Sequence, residues 1–280
     1  MVSVLGLTAC DGSADSDEGS RAPSEPVGPR APGRDEAGVS ESCEAYATYV
    51  DGPYRYVNDQ WGRDKATGPF EQCLLRRSEA GNTEYGWTWN WPGLDVSVFA
   101  YPEIVFGWKP WSGGASTDPR FPRRISELGR LAIDYEIELR ASGSYNLAPE
   151  VWLVEEGAFS TAPEPLLIKG EVMFWMDYRE AAQPAGEMIA TPTIDGVTYE
   201  LWHAAQIGDR GDGKGWPLFT LKSPEPRHAG TLAIDPLLAH LAEEGLIDTN
   251  DFVASVEFGN EIMGGEGTAW IRHFEVDAEP

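Results

Sequence analysis

The sequence predicts an all-β fold, a sandwich of two antiparallel sheets. Between residues 46 and 274 the chain consists mostly of short apolar or aromatic runs separated by Gly, Pro or Asp, a pattern typical of strands and turns. Many short strands without interleaved helices pack as sheet on sheet. The runs that we interpret as strands are residues 54–57, 85–91, 96–101, 131–139, 150–154, 170–176, 198–203, 218–221, 252–258 and 269–276.

One late segment departs from this pattern and predicts a helix. Asp235 is placed to cap its start, Pro236 suits the first turn, and Gly245 suits the cap after its end. Three leucines between them, at positions 237, 238 and 241, form an apolar stripe on one helical face.

The size and composition of the chain suit one domain with a sizeable core. Of its 280 residues, 41% are hydrophobic and 11% are aromatic, and no internal repeat or break in composition follows residue 41. We therefore predict a single domain over residues 41–280. The 11 tryptophans are costly to bury completely, so some of them are expected to line a surface groove.

The first forty residues have a different character. Residues 1–9 are small and apolar and end in a Leu-Thr-Ala-Cys motif at Cys10, which resembles the lipobox of bacterial lipoproteins, where Cys10 would be lipidated. The run is short and has no basic segment before it, so we interpret residues 1–10 as the remnant of a longer signal peptide. A chance cysteine is the alternative. Residues 11–40 are rich in Gly, Pro, Ser, Ala and acidic residues, which predicts a disordered tether and an extracellular or cell-surface, lipid-anchored protein.

The net charge of −25 narrows the possible partners. Residues 1–40 hold seven acidic and three basic residues, so most of the negative charge belongs to the predicted domain. Such a field repels nucleic acid and anionic lipid surfaces. We therefore expect no nucleic-acid partner and no membrane contact other than the lipid anchor, and a neutral substrate or a saline habitat suits this charge.

The chain has three cysteines, an odd number. If Cys10 is lipidated, Cys43 and Cys73 remain to form a disulfide, which an exported compartment permits. Closing a loop of this length would contribute on the order of 3 kcal/mol to stability. Two free buried thiols are the alternative.

The strand around residues 169–177 carries the first indication of chemistry. With the two-residue period of a strand, Glu171, Met173 and Trp175 project from one face, and the apolar residues that alternate with them project towards the core. A carboxylate beside a methionine and a tryptophan is expected to be at least partly buried, and burial disfavours its charged form. A half-buried strand with one solvated Glu is the alternative from this stretch alone.

Two other segments supply further carboxylates. Glu261 follows the end of a β-run and precedes a flexible glycine-rich loop, so we expect it where a strand opens onto a cleft. Glu150 and Trp152 share one face of another predicted strand. If these strands are neighbours, three carboxylates and two indoles line one concave sheet.

These segments, in this order, resemble glycoside hydrolase family twelve, the small endoglucanases and xyloglucanases. The family's Glu-Ile-Met-Ile-Trp strand, which carries its nucleophile, reads Glu-Val-Met-Phe-Trp at residues 171–175. Its Phe-Gly-Thr-Glu element, which carries the acid/base, reads Phe-Gly-Asn-Glu at residues 258–261. Its Tyr-Asp-Ile-Trp-Leu strand, which supplies a helper Asp, reads Pro-Glu-Val-Trp-Leu at residues 149–153.

Two elements nearer the start extend the resemblance, which covers roughly residues 41–276. The family's Asn-Asn-x-Trp-Gly reads Asn-Asp-Gln-Trp-Gly at residues 58–62, and its Tyr-Pro-x-Ile reads Tyr-Pro-Glu-Ile at residues 101–104. Two departures bear on substrate and rate. Glu150 replaces the helper Asp, and Asp59 replaces an Asn that meets sugar hydroxyls in the family.

The resemblance implies a β-jelly-roll of two antiparallel sheets with a concave substrate cleft and one α-helix. It implies a monomeric, cofactor-free and metal-free retaining hydrolase that cleaves β-1,4-glucans internally, whether cellulose-like glucan, mixed-linkage β-glucan or xyloglucan. By double displacement, Glu171 would act as nucleophile, Glu261 as acid/base and Glu150 as helper. The expected substrate contacts are Asn58, Asp59, Trp61, Met173, Trp175 and Trp202. Of these, Trp202 is a weaker candidate, as are Trp89 and Trp91, because core packing would explain each of the three at least as well.

Other features favour plainer interpretations. The four histidines, at positions 203, 228, 240 and 273, lack metal-ligand spacing, and the acidic turn over residues 209–213 lacks the later ligand of a calcium loop. The aromatic loop over residues 108–114 is expected to rim the cleft. Two alternative functions stay open: a carbohydrate-binding surface lipoprotein on the same fold, and a structural β-sandwich without affinity for sugar.

Overall fold

The computed structural model describes residues 38–79, 81–94, 97–112, 114–160, 167–179, 182–194, 196–210 and 212–279. The predicted lipidation of Cys10 and nearly all of the predicted tether lie outside this part of the chain. Within it, no helix is long and apolar enough to pass through a bilayer.

The regular secondary structure of the described chain is almost entirely β, which confirms the predicted class. Its strands, in chain order, are β1 (Val39–Ser42), β2 (Thr48–Asp51), β3 (Tyr54–Val57), β4 (Glu71–Glu79), β5 (Asn82–Leu94), β6 (Glu103–Gly107), β7 (Arg123–Arg124), β8 (Leu131–Val154), β9 (Ile168–Trp175), β10 (Asp177–Arg179), β11 (Glu187–Ala190), β12 (Thr193–Ile194), β13 (Val197–Thr198), β14 (Glu200–Ile207), β15 (Trp216–Lys222), β16 (Ala229–Ala233), β17 (Phe252–Gly259) and β18 (Ile262–Ala278). The helix α1 spans Asp235–Glu243, and short 3-10 turns cover Arg63–Lys65, Ile125–Glu127 and Ala158–Ser160.

The strands form two layers that share β8. One layer runs β1-β4-β5-β18-β8, with β16 and β10 also paired to β8. The other layer runs β2-β3-β6-β17-β8-β9-β15-β14-β11. Neighbouring strands are antiparallel except β9 and β15, which pair in parallel. This sandwich is the β-jelly-roll that the resemblance implied.

Strand β8 corrects one prediction, because the sequence indicated two strands over residues 131–139 and 150–154. The chain runs through as one strand of 24 residues. Its first part pairs with β18 in one layer, and its last part lies between β17 and β9 in the other. Gly143 lies between the two predicted runs and has a φ of +94°, a conformation that glycine adopts readily.

Aromatic and aliphatic side chains from the facing sides of the two layers form the core. Trp87, Phe106, Phe174 and Phe258 are completely or almost completely buried there. Helix α1 packs on this core through the predicted stripe of Leu237, Leu238 and Leu241.

The two ends of α1 differ in how well the sequence predicted them. Gly245 adopts a left-handed conformation with a φ of +71°, and the next residue's N–H donates to the Leu241 carbonyl, as expected for a glycine cap. Asp235 does not cap the helix as predicted. It is the first helical residue, and its Oδ1 instead accepts a hydrogen bond from the backbone N–H of Leu131 at 3.0 Å.

The predicted strand over residues 96–101 is also corrected. Its described part, residues 97–101, is irregular apart from one bridge between Ala100 and Ile262. The backbone here bonds to two separate segments, since Phe99 donates to Ile262 and Tyr101 donates to Asp59. Neither segment follows residues 97–101 for more than one or two bonds, so no continuous ladder forms there.

The Cys43–Cys73 disulfide is present and confirms the predicted pairing. Cys73 is fully buried in β4, and Cys43 directly follows β1. The bond therefore ties the start of the described chain to β4, in the layer that contains β5 and β18, close to the segment that leads into β2.

Candidate active site

A cavity of about 740 Å³ opens on the concave face of the layer that contains β9 and β15. Its floor comes from β8, β9 and β15, and its rim comes from the loops before β4, after β6 and between β14 and β15. Most of its large side chains are indoles: Trp61, Trp111, Trp152, Trp175 and Trp216. The groove of tryptophans that composition predicted therefore exists.

The strand register brings the three predicted carboxylates into this cavity. Glu150 on β8 pairs with Met173 on β9, and Trp152 pairs with Glu171, so the four side chains share one face. Glu261, which follows β17, lines the same cavity. The residues that alternate with Glu171 and Met173, namely Val172 and Phe174, are buried in the core, as the two-residue period predicted.

The carboxyl group of Glu171 is buried and has one strong partner. The indole Nε1 of Trp216 donates a hydrogen bond to Glu171 Oε2 at 2.7 Å. Burial raises the pKa of Glu171 to about 8, and the negative charges of Glu261 and Glu257 act in the same direction. The bond from Trp216 and the charge of Lys109 oppose this rise.

The side chain of Glu261 is half-buried and lies against Asn146. The Asn146 amide donates a short hydrogen bond to Glu261 Oε2, and the amide oxygen accepts one from the Glu261 backbone N–H at 3.2 Å. Burial raises the pKa of Glu261 to about 7, and the bond from Asn146 opposes the rise. This carboxyl can therefore hold a proton near neutral pH, as a general acid requires.

Asn260 fixes the backbone that carries Glu261. Its side chain is fully buried, accepts a hydrogen bond from Trp87 Nε1 at 2.9 Å and donates one to the Asn146 carbonyl at 2.8 Å. Asn260 thus links the core to the cleft. The family pattern that the sequence resembles has a Thr at this position.

Glu150 lies beneath the cleft between two other carboxylates. Burial raises its pKa well above the usual range, and the charges of Glu171 and of Glu257, its cross-strand partner on β17, raise it further. Glu150 therefore holds its proton near neutral pH. Protons in such a group are shared, because the titration of each carboxyl depends on its neighbours.

A buried lysine lies beside these acids and was not predicted. Lys109 is only 6% exposed, and its Nζ lies 2.7 Å from Glu103 Oε1 and 2.8 Å from Glu257 Oε2. Burial alone would raise the pKa of Glu257, but Lys109 holds it below its usual value. Glu257 is thus the ionised partner, while burial raises the pKa of Glu103 well above the usual range.

The loop after β6 rims the cavity, as expected. The Trp111 ring lies 5.6 Å from that of Trp152 and 5.4 Å from that of Trp216, measured between ring centroids. Lys109 lies within the same loop and joins it to the floor.

Within the part of the chain that the structure describes, three polar atoms that border the cavity have no hydrogen-bond partner: Trp152 Nε1, Trp175 Nε1 and Thr220 Oγ1. All three side chains are at least nine-tenths buried. Because an unpaired buried donor is costly, such atoms are expected where a polar ligand completes their bonding. The ring faces and free N–H groups suit the hydroxyls of a sugar chain.

Two other residues predicted to contact substrate lie on the rim of the cavity. Trp61 lines the cavity with 50% of its surface exposed, and Lys65 lies 4.3 Å from the centre of its ring. Asp59 lines the cavity too, and its Oδ1 accepts a hydrogen bond from the Trp61 backbone N–H at 3.0 Å. Met173 and Trp175 line the floor.

The structure corrects the predicted contact through Asn58. This side chain has no exposed surface and donates to the carbonyls of Glu44 at 2.9 Å and Gln72 at 3.1 Å. It braces the backbone behind Asp59 and cannot meet a sugar in this arrangement.

The prediction for Trp202 is also corrected, because this residue does not line the cavity. It lies on the concave face opposite Thr220, one strand further out, and its Nε1 donates to Glu200 Oε2 at 3.1 Å. Of the weaker candidates, Trp89 and Trp91 are buried in the core, which favours their alternative interpretation.

Besides Lys109, the sequence did not predict Trp216 and Asn146 as residues of the site. Trp216 is 45 residues from Glu171, and Asn146 is 115 residues from Glu261. No local spacing links either pair, so only the strand register could have identified them.

The described residues offer little to a metal ion. The group of Glu41, Cys43 and Cys73 has ligand atoms close enough to hold one, but the two sulfur atoms are joined in the disulfide. The carboxylates of the cavity have a lysine among them instead.

Comparison with known proteins places this cavity in context. The sequence model described as glycosyl hydrolase family 12 matches residues 52–279. Endoglucanase S of Pectobacterium parmentieri is 27% identical over 245 residues, which cover 86% of this chain and 88% of that protein. Xyloglucan-specific endo-beta-1,4-glucanase A of Aspergillus aculeatus is 24% identical over 247 residues, 86% of this chain and 92% of that protein.

A solved structure shares the whole architecture. The native family 12 xyloglucanase from Bacillus licheniformis superposes with a TM-score of 0.74 at 28% identity. The match covers 86% of this chain and all of that chain.

Proposed function

The chain belongs to glycosyl hydrolase family 12, and from this premise we propose that it cleaves β-1,4-glucans internally and with retention of anomeric configuration. The observation that carries this proposal is that Glu171 and Glu261 line one cavity with different partners, an indole N–H and an amide. Hydrolysis of a glycosidic bond needs two such carboxyls in two roles.

The first half of the reaction assigns one role to each. Glu261, as a carboxylic acid, donates its proton to the glycosidic oxygen of the leaving sugar. Glu171, as a carboxylate, attacks the anomeric carbon, and the bond to the leaving oxygen breaks as a glycosyl-enzyme ester forms. Retaining enzymes hold the two groups about 5–5.5 Å apart.

The second half reverses the roles. Glu261, now a carboxylate, accepts a proton from water, and the water oxygen attacks the anomeric carbon. The ester to Glu171 breaks, and both carboxyls return to their starting states. Glu150 holds its proton beside Glu171 during this cycle, so it adds no second negative charge to the site.

The lining of the cavity supports a neutral glucan as substrate. Exposed Trp61 and Trp111 offer flat faces to sugar rings, and the unpaired donors of Trp152, Trp175 and Thr220 lie deeper. Family membership and the relatives named for endoglucanase and xyloglucanase activity favour β-glucan and xyloglucan as the first substrates to test.

The test is reducing-sugar release from soluble mixed-linkage β-glucan, xyloglucan and carboxymethylcellulose. We expect a rapid fall in viscosity, as internal cleavage gives, and a loss of activity of at least a thousandfold in Glu171→Gln and in Glu261→Gln. Equal release by the wild type and both variants would refute the site. Retention of glucan on the wild type without turnover would support the carbohydrate-binding alternative.

We also infer that the protein acts outside the cytoplasm, as a monomer held by a lipid on Cys10. The Cys43–Cys73 disulfide supports export, since cytosolic thiols are kept reduced. A polymer too large to enter the cell is the substrate proposed above, which favours the same location.

A further inference from the structure

Trp216 occupies a fixed position against Glu171. It is the first residue of β15, two residues before Leu218, which pairs with Glu171 on the neighbouring parallel strand. Its side chain is therefore on the cleft face. It is 92% buried, which follows from its 8% exposure, and it directs its only polar atom at Glu171 Oε2, 2.7 Å away.

The ring of Trp216 is held by its surroundings. The Trp152 ring lies 5.5 Å away and the Trp111 ring 5.4 Å away, between centroids. Gly208 closes a further side with a φ of +66°, and a Cβ at this position would lie only 2.1 Å from Cη2 of the ring. A glycine is thus required where β14 leads into the loop before β15, and it leaves the indole little freedom to turn.

An indole N–H is suited to a carboxylate that must attack. It donates only and does not titrate, so it offers the same bond at every pH. Donation to the charged form favours that form, whereas a protonated carboxyl gains less. With Oε2 held by Trp216, Oε1 is the oxygen left for the anomeric carbon. Within the ranges that the structure describes, no other side chain donates a hydrogen bond to Glu171.

We propose that Trp216 is a positioning residue of the hydrolase, whose indole N–H fixes Glu171 Oε2 and favours the ionised carboxylate that attacks through Oε1. This inference rests on the proposed role of Glu171. The inference adds Trp216 as the donor to Glu171, and Gly208 as the residue whose lack of a side chain leaves room for the Trp216 ring.

The other charged groups around Glu171 explain why such a donor is needed. Glu150 faces it from β8, Glu257 lies beyond Glu150 on β17, and Glu261 lies across the cavity. Lys109, in the loop after β6, is the one cation among the described residues that line the cavity. Burial and the negative charges of Glu261 and Glu257 raise the pKa of Glu171, and the bond from Trp216 is the largest opposing influence.

The test compares Trp216→Phe with wild type in the full chain, through the pH dependence of kcat/KM on soluble mixed-linkage β-glucan. Because the pKa of Glu171 lies above that of Glu261, ionisation of Glu171 sets the falling limb of the profile. Loss of the N–H raises the pKa of Glu171, so we expect the falling limb to move up by about one pH unit and the maximum to fall about tenfold. At neutral pH, kcat should fall about ten- to a hundredfold, as loss of a hydrogen bond to a charged group does, with little change in KM.

Trp108→Phe is the matched control. Trp108 belongs to the same buried aromatic cluster as Trp216 and Trp152, and it has no hydrogen bond to Glu171. We expect it to lower the melting temperature without moving the falling limb. A Trp216→Phe variant with the wild-type profile, or one whose loss matches that of Trp108→Phe, would overturn the proposal.

A second measurement needs no change at position 216. In protein labelled with ¹⁵N-tryptophan, one indole N–H resonance should shift with pH as Glu171 titrates, and the shift should vanish in Glu171→Gln. Absence of any such resonance would also overturn the proposal. Failure of the proposed function would instead appear as inactivity of the wild type on every glucan, so the two failures are distinguishable.

Discussion

At the scale of single residues, the chemistry depends on how each carboxyl is surrounded. Glu171 and Glu261 have the same side chain, yet one receives an indole N–H and the other an amide N–H. Burial raises the pKa of both. Hydrolysis needs Glu171 ionised and Glu261 protonated, which is the less populated singly protonated form when their pKa values are about 8 and about 7. The rate should fall at low pH, where both carboxyls are protonated, and at high pH, where both are ionised.

Asn146→Ala tests the environment of Glu261. The bond from Asn146 lowers the pKa of this carboxyl, which lies at about 7. Without the bond the pKa rises, and Glu261 keeps its proton to higher pH. Because Glu261 has the lower pKa of the pair, the rising limb of kcat/KM should move up by roughly half to one pH unit. Trp216→Phe, by contrast, should move only the falling limb. A rising limb that stays in place or moves down would contradict this assignment.

Lys109→Met tests the buried ion cluster. The substitution keeps the length of the side chain but leaves Glu257 without its cation, and removal of one partner from a buried pair costs about 3–5 kcal/mol. Denaturant unfolding should show a loss of this size. The double variant Lys109→Met, Glu257→Gln carries no unpaired charge and should recover part of it. Equal stability of the wild type and Lys109→Met would show that the cluster adds nothing to the fold.

The residue scale also shows which site residues a sequence can reveal. Glu171, Met173 and Trp175 were predictable because the two-residue period places them on one face. Trp216 and Asn146 were not, since each reaches its partner through strand pairing across a long stretch of chain. Asn58 was assigned to the cleft through a resemblance, but its burial depends on Gln72, which no local pattern connects to it.

At the scale of elements, the strands were predicted better than their connections. Strand β3 coincides with the run expected at residues 54–57, and β17 extends the run expected at 252–258 by one residue. Strand β8 was divided by the sequence pattern because the Ser-Gly-Ser at residues 142–144 interrupts the apolar run, whereas pairing with β18 carries the strand through Gly143. Tertiary pairing overrode the local signal.

The disulfide acts at this scale, because it ties the chain before β2 to β4. Cys43→Ser, Cys73→Ser should reduce the free energy of unfolding by about 3 kcal/mol, since the open chain gains entropy when unfolded. Urea unfolding checks this, and wild type treated with a reductant should match the variant. Because neither sulfur lies in the cavity, activity at low temperature should be retained. A variant as stable as wild type would contradict the expected contribution.

At the scale of the whole molecule, one layer of the sandwich holds the cleft and the other supports it. The core joins them, and Trp87 and Asn260 carry that support through to the backbone of Glu261. The net charge of −25 suits a neutral substrate in the surrounding medium and opposes contact with anionic surfaces. Attachment to a membrane would therefore depend on a lipid.

Cys10→Ala tests the proposed anchor. In a bacterium that processes lipoproteins, we expect wild type in the membrane fraction, with acyl chains detected by mass spectrometry on the peptide that begins at Cys10. The variant should carry no acyl chain and should leave that fraction. Wild type without acylation would contradict the proposal and leave the hydrolase itself untouched.

The measurement that tests the central claim most directly is the anomeric configuration of the first product. Proton NMR can follow wild type as it cleaves a soluble β-glucan oligosaccharide faster than the product mutarotates. Double displacement through Glu171 inverts the anomeric carbon twice, so the β-anomer should appear first and the α-anomer should grow in later. Appearance of the α-anomer first would contradict the account, because it would mean a single displacement by water with no covalent role for Glu171.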